Sequence, residues 1–499
     1  MSYISKLCQE NKRVLVPFVF LVLSFTLLCG RAAAESSQQT RQPMTLAEAV
    51  TLALRHNRTV ESAYLDRLLE RFDLKIAQDE FLPDFALFSS AAQERTTGEA
   101  LHRTEVGGEA RLKVPTGGEF SLTWTQPVHT SQDDQWFDGL GNDVILSFSQ
   151  PLLKGGGIQV NRASQVLAEY EERTNLLRLQ ETLIDTITQV VSAYRSFLLA
   201  QRGLEINRLS LERSKDLLER NRILIEEGRK AKVELIETEA NVASQELSFM
   251  VSQNDVETKK LNLLKLLDID RHISIEPTES IEVEPVQMKE ETLLDIALKN
   301  NLEYQKALVI LKVAQTNLLL AENEQRWQLD LEAQYNMTDS SAYTGDASEG
   351  ESDGAGDYLV AMKLEIPFGD ESTKRDLLSA KVGCRKAEID LKELRENVGI
   401  SVQDMYRDIG MKWKQVELSQ KARDLAQKQL DVELEKFKND KSDNFQVVSY
   451  QNSLIASEHS ENKAKIDYLN TLTALDRYLG TTLEHWGIDP ANAPKVELP

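Results

Sequence analysis

Six histidines and three cysteines are the residues of this 499-residue chain best suited to ligate a metal or act as a nucleophile. The histidines are scattered and none pairs at a ligand spacing. Cys8, Cys29 and Cys384 build neither a metal motif nor a disulfide framework. There is no GxSxG, P-loop or HExxH run. The glycines of GGG at 155–157 lack the Lys-Ser/Thr of a phosphate loop and read as a joint between strand and helix. The acidic run 338–357 has no EF-hand order and reads as a solvated loop. The expectation is a protein that is not an enzyme, with no cofactor and no metal. The chemistry left is charge pairing in two short polar breaks, EEGRKAK at 226–232 and NDKSDN at 439–444. Gly228 permits a tight reversal there. Arg229, Lys230 and Lys232 of the first break have the sign to pair with Asp440 and Asp443 of the second. Exposed pairs contribute about 0–1 kcal/mol each, so contacts of this kind are easily undone. For any one of these residues, solvating a loop is the commoner role.

The elements that position these breaks are long. Residues 157–226 hold no proline and, after the opening glycines, only Gly203. Apolar residues recur at steps of three and four: Leu183, Ile187, Val190, Tyr194 and Phe197, then Leu204. A helix of that length spans ~105 Å, and a second run over 373–438 spans ~99 Å. Such helices need neighbours along their whole length, as in a bundle or coiled coil. A shorter helix follows each break, so each long helix belongs to a hairpin. Residues 268–289, rich in Pro and Glu, read as a linker.

Residues 84–150 and 328–366 differ in kind, alternating apolar and polar with period two. Phe120, Leu122 and Trp124 fall on one face of FSLTWTQ, with Ser121, Thr123 and Thr125 on the other. Leu122, Trp124, Val144, Leu146, Val360 and Leu364 are the candidates to face lipid. Pro115–Gly118 reads as a tight turn, and the strands approach the ~9–11 residues that cross a membrane. Long polar loops at one end and short turns at the other suit a membrane β-barrel. Trp124, Trp136, Phe137, Tyr343 and Tyr358 lie near strand ends, as interface aromatics do, though ordinary packing is an equal explanation for each.

The net charge of −22 argues against nucleic acid as a partner. Lys6, Lys12 and Arg13, the apolar run Val14–Leu28 and the small residues Ala32–Ala34 read as a secretory signal cut after Ala34. An uncleaved anchor and a lipoprotein at Cys29 are weaker readings. Mean hydropathy is −0.38, and no second long apolar run follows, so no transmembrane helix is expected in the mature chain.

The order of elements occurs twice. With a shift of 244 residues, Ala53 falls on Ala297, Leu54 on Leu298, Asn57 on Asn301 and Ala77 on Ala321. Pro151 or Pro367 ends the strands in each copy. The boundaries read as signal 1–34, repeat one 35–267, linker 268–289, repeat two 290–480 and tail 481–499.

The sequence resembles the TolC-type outer-membrane efflux proteins. TLAEAVTLALRHN (45–57) looks like that family's opening helix, and FLPDFAL (81–87) like the entry to its first strand. SFSQPLLKGGG (147–157) is similar to the exit from its strands. EEGRKAKVELIETEANV (226–242) resembles its periplasmic helical turn, and LKLLDI (264–269) and LDRYLG (475–480) the ends of its returning helices. The resemblance implies a mainly α fold with a β membrane part. In it, long helical hairpins form a trimeric periplasmic α-barrel below one shared transmembrane β-barrel. It implies an outer-membrane homotrimer reaching into the periplasm, which passively conducts substrates of a tripartite efflux or type I secretion system. The partners implied are outer-membrane lipid, a periplasmic adaptor (membrane fusion protein) and, through it, an inner-membrane RND or ABC transporter. It adds Glu234 to the turn residues. The sequence departs from the pattern at Trp327, which stands where the first repeat has Pro83. It departs also at Asp440 for Gly228 and Gln446 for Glu234. Four strands per protomer would make the implied twelve; six stay open. Efflux and secretion both stay open. The other class is a structural coiled-coil protein of the periplasm or surface, a trimeric spacer or adhesin.

Overall fold

The computed structural model describes residues 42–96, 99–132, 135–137, 142–338, 356–439 and 441–490. The expected signal, Tyr343 and Asp440 lie outside the described residues, and Trp136 and Phe137 are described by backbone alone. In chain order the elements are β1 (Gln42–Met44), α1 (Leu46–His56), α2 (Arg58–Gln78), β2 (Asp84–Thr96), β3 (Glu99–Lys113), β4 (Glu119–Gln132), β5 (Gln135–Phe137), β6 (Asp143–Pro151), α3 (Ile158–Asn161), α4 (Ala163–Glu226), α5 (Val233–Leu267), β7 (Ile275–Pro277), α6 (Glu290–Asn300), α7 (Leu302–Glu324), β8 (Gln328–Thr338), β9 (Asp357–Glu365), α8 (Glu371–Lys438), α9 (Asn444–Leu479) and α10 (Thr482–His485).

The chain forms two compact units. One holds Gln42 and Pro43 with His272–Glu276, and in it the Gln42 N–H donates to the Ser274 carbonyl. The other holds Met44–Arg271 and Pro277–Pro499, and everything below concerns it.

Two helices dominate: α4 with 64 residues and α8 with 68, about 96 and 102 Å long at 1.5 Å per residue. Each turns back on a shorter partner, α5 or α9. The stripe Leu183, Ile187, Val190, Tyr194 and Phe197 is fully buried. A second core joins Val398, Val402, Ile409 and Val416 of α8 to Leu293 and Ala297 of α6 and Tyr468, Leu475 and Leu479 of α9. Packing of such stripes, more than intrinsic propensity, stabilises helices in proteins. Beyond these cores, Ile223, Ile236, Leu247 and Met250 in the first hairpin and Leu418, Leu425 and Val432 in the second lie exposed.

The helix ends that frame the two hairpins use the same side chain twice. Asn57 caps α2 by accepting from the Thr59 N–H, and its amide donates to the Leu266 carbonyl in the last turn of α5. Asn301 caps α7 by accepting from Tyr304 N–H, and its amide donates to the Tyr478 carbonyl in the last turn of α9. Each is a short polar side chain that satisfies orphan groups of two helices at once. The residues read as a linker are packed where they approach the helices. Ile281 is buried against Leu198 and Ile466, and the Val286 N–H donates to the Tyr468 hydroxyl at 3.1 Å. Backbone groups so close to the bundle need partners of this kind.

The sheet runs β2-β3-β4-β6-β8-β9, with β5 attached to β4, and every pairing is antiparallel. Strands and helices meet at the glycine joint. Gly155 and Gly157 have φ of +76° and +107°, values that favour glycine. The Gly155 N–H donates to Asn323 Oδ1 at 2.7 Å, and the Gly157 N–H to the Thr116 carbonyl of the β3–β4 turn. Gly117 in that turn has φ +99°, and a Cβ there would lie 2.6 Å from the Gly155 carbonyl oxygen. The joint read from GGG is therefore a built contact between turn, strand end and helix end.

Candidate functional site: the two-faced sheet and the helical turns

Strand register sorts the sheet's side chains by face, because paired residues share a face and neighbours along a strand alternate. Phe85, Ala110, Leu122, Leu146, Tyr335 and Tyr358 form one row across all six long strands. The adjoining rows on that face hold Leu87, Trp124, Val144 and Met337 on one side and Leu112, Phe120, Phe148, Ala333 and Val360 on the other. Leu329 pairs with Leu364 on the same face. All six residues singled out from the sequence, Leu122, Trp124, Val144, Leu146, Val360 and Leu364, thus lie on one apolar face. The Phe120 and Phe148 rings meet at 4.4 Å. The opposite face holds Glu109, Thr123, Asn336 and Asp357 in one row and Asp84, Arg111, Ser121, Ser147 and Gln334 in the next. There the Ser121 and Ser147 hydroxyls share a hydrogen bond of 2.5 Å.

At the far end of the long helices, Gly228 has φ +72°. Its N–H donates to the Ile225 carbonyl and the Arg229 N–H to that of Leu224, a left-handed C-terminal cap that reverses the chain. The two turns are linked through a compact polar group. Lys230 Nζ donates to Glu234 Oε2 at 2.8 Å and to Asn444 Oδ1 at 3.4 Å. The Asn444 amide donates to the same Glu234 oxygen at 2.8 Å. Lys230 also lies over the Phe437 ring, 4.1 Å from its centre, a favourable cation–π geometry. Lys230 therefore joins Glu234 and Asn444 rather than Asp443. Asp443 caps α9 by accepting from the Gln446 N–H at 2.9 Å, and an N-cap carboxylate is already engaged. Arg229 lies 3.6 Å from Glu227, and Lys232 is exposed just before α5. Behind the turn, Ser442 and then Lys436 donate to Glu433 and hold its carboxyl below the usual range.

Asn444, Phe437 and Glu433 were not singled out from the sequence. Asn444 was visible only as the last residue of a polar break. Its partner lies 210 positions away, beyond any local signal.

Polar side chains also occupy the interior between hairpins. Arg195 is largely buried and donates to the Leu469 carbonyl, Asn470 Oδ1 and Thr473 Oγ1, and burial pushes its guanidinium down to about 10. Burial raises the Asp476 carboxyl and lowers the His459 imidazole. Among the described residues, no cluster of His, Cys, Asp or Glu could hold a metal, and no helix is long and apolar enough to cross a membrane.

Residues 49–268 match the family model described as outer membrane efflux protein. Over that stretch the chain is similar to the outer membrane efflux protein family. The efflux-protein likeness extends further in fold. The CmeC outer membrane channel of Campylobacter jejuni superposes at TM-score 0.63 with 14% identity, covering 90% of this chain and 87% of that one. The outer membrane protein VceC of Vibrio cholerae gives 0.64 and 16%, covering 87% and 96%. The open MtrE channel of Neisseria gonorrhoeae gives 0.60 and 16%, covering 87% and 88%. At these identities the likeness is one of fold. No curated protein matches the sequence. The family is described as efflux proteins, and CmeC and MtrE as outer membrane channels.

Proposed function

We propose that this chain is the outer-membrane subunit of a tripartite export system, a homotrimer that passively conducts substrates from a periplasmic adaptor and an inner-membrane RND or ABC transporter to the exterior. The observation that carries the reading is the two-faced sheet. An apolar face continuous across six paired strands, backed by a polar one, is the pattern of a barrel wall between lipid and water. A coiled-coil spacer needs no such sheet. The helices support the same reading, since α4 and α8 run from the strands for ~100 Å and leave apolar residues exposed toward further helices. The matching roles of Asn57 and Asn301 support two repeats, 35–267 and 290–480, joined through 268–289 and followed by the tail 481–499. In this reading Gly228, Arg229, Lys230, Lys232, Glu234, Asp440 and Asp443 lie at the periplasmic end and form the gate and the adaptor's docking surface. Detergent-extracted protein is expected to have the mass of three chains and to conduct ions in a planar bilayer. A stable monomer that conducts, or a trimer that never does, defeats the proposal.

A further inference from the structure

Among the described residues the six-strand path has two bare ends. β2 pairs only with β3, and β9 only with β8. Their apolar side chains are correspondingly open: Leu87 is 90% exposed and Tyr358 82%, against 44% for Leu122 and 47% for Leu146 inside the sheet. Yet the apolar band reaches both edges, from Phe85 to Tyr358, without a break. A bare edge in hydrocarbon leaves N–H and carbonyl groups unpaired at several kcal/mol each, so each edge needs an occupant. Strand direction indicates which one. β2 follows α2 and β9 leads into α8, so one runs away from the helical end and the other toward it. β9 of one copy against β2 of the next is therefore antiparallel, like every other pair in the sheet. On the polar face near the helical end, β2 carries Asp84 and β9 carries Lys363, charges that attract across such a seam. A contact of β9 with β2 is head-to-tail, and such contacts close into a ring when the rotation from copy to copy completes a turn.

We infer that β9 of each copy pairs with β2 of the next, and that three copies of six strands close an eighteen-stranded barrel rather than the twelve-stranded one the resemblance implies. This rests on the trimeric channel reading above. With strands 4.8 Å apart and tilted by 40°, the backbone diameter is about 36 Å for eighteen strands and about 24 Å for twelve. The cross-section of the outer end roughly doubles, into the range where barrels hold an open aqueous lumen. The added pair is β3 and β4. Its turn is bonded through Thr116 and Gly157 to the strand-to-helix joint, so it is part of the wall.

The test uses the full chain with Cys384→Ser. Single cysteines on the polar face of β2 (Ala86→Cys or Ser90→Cys) are combined with single cysteines on the same face of β9 (Leu359→Cys or Lys363→Cys) and oxidised in the assembled oligomer. Covalent dimers and trimers are expected, whereas Thr123→Cys with Ile145→Cys, partners on β4 and β6, links only within a chain. In bilayers, polymers added from the outer side should enter the intact channel at sizes excluded by a variant lacking residues 99–142, which retains four strands. Three results each overturn the inference: β2–β9 links confined to one chain, inter-chain links from β3 or β4, or an equal polymer cut-off in the two channels. If the deletion variant does not assemble, the cross-links decide. A cross-linked trimer that does not conduct defeats the channel reading and leaves the edge pairing intact. A conducting oligomer with no β2–β9 link does the reverse.

Discussion

At the scale of single residues, the turn group of Lys230, Glu234 and Asn444 has the clearest consequence. Asn444 is 1% exposed and bridges a cation and a carboxylate from the other turn. Replacing it with alanine removes two hydrogen bonds and leaves partly buried charges less satisfied, at a cost of about 1–3 kcal/mol. In Asn444→Ala, resting conductance without adaptor is expected to rise, while exposed Gln446→Ala leaves it unchanged. Identical single-channel records for the two variants show that this contact is no latch. His459 makes a second test. Its Nε2 lies 3.3 Å from Asn207 Oδ1 between α9 and α4, and burial lowers its pKa. A histidine depressed in the fold favours the neutral ring, so its stabilising contribution is present above the ordinary value near 6.5 and is lost as pH falls through the lowered one. Thermal unfolding from pH 7 to 5.5 should therefore show a larger loss in the parent than in His459→Gln. Parallel curves would assign the loss to other groups.

Elements carry the membrane argument. The apolar face is a property of register, since a slip by one residue would send every side chain of a strand to the other face. Arginine at Leu122 or Leu146 is expected to cost roughly 2–4 kcal/mol near the middle of the band, and at Thr123 or Ser147, their neighbours on the polar face, much less. Unfolding in lipid vesicles measures this directly. Equal tolerance on the two faces would count against a barrel wall. Helix ends show the same dependence on position. Gly480 ends α9 with φ +73°, and a Cβ there would lie 2.3 Å from the Asn300 carbonyl oxygen, so this end of the hairpin is set by backbone contact as well as by the Asn301 cap.

For the whole molecule, charge is the feature that reaches function. The chain is acidic, at −22. The polar face of the sheet follows suit: Glu109, Glu119, Asp330 and Glu332 face Arg111, Lys113 and Lys363, with Asp357 and Glu365 in further excess. A lumen lined by one sign of charge concentrates counter-ions. The channel should prefer cations over anions in a salt gradient, and less so as salt rises, because the screening length falls from about 10 Å at 0.1 M to about 3 Å at 1 M. Glu119→Lys with Glu332→Lys should weaken that preference. A reversal potential unmoved by the double variant would place the selective region elsewhere, as at the helical turns.

What the sequence by itself determined here is local. The long helices follow from steps of three and four over stretches without proline, and Leu183, Ile187, Val190, Tyr194 and Phe197 are indeed buried together. Alternation with period two identified the strands and assigned Leu122, Trp124, Val144, Leu146, Val360 and Leu364 to one face. Such signals work because neighbouring residues repeat their direction every 3.6 or 2 positions whatever lies farther off. Only the tertiary structure decided the rest. The number and order of strands depend on pairings such as Leu146 with Tyr335, and either four or six strands satisfies the same alternation. The partners of Lys230 depend on where two turns more than 200 residues apart come to lie. The packing of Ile281 and Val286 depends on α4 and α9 reaching them. In each case the deciding contact joins segments distant along the chain, and no local period records which of several admissible neighbours a segment will meet.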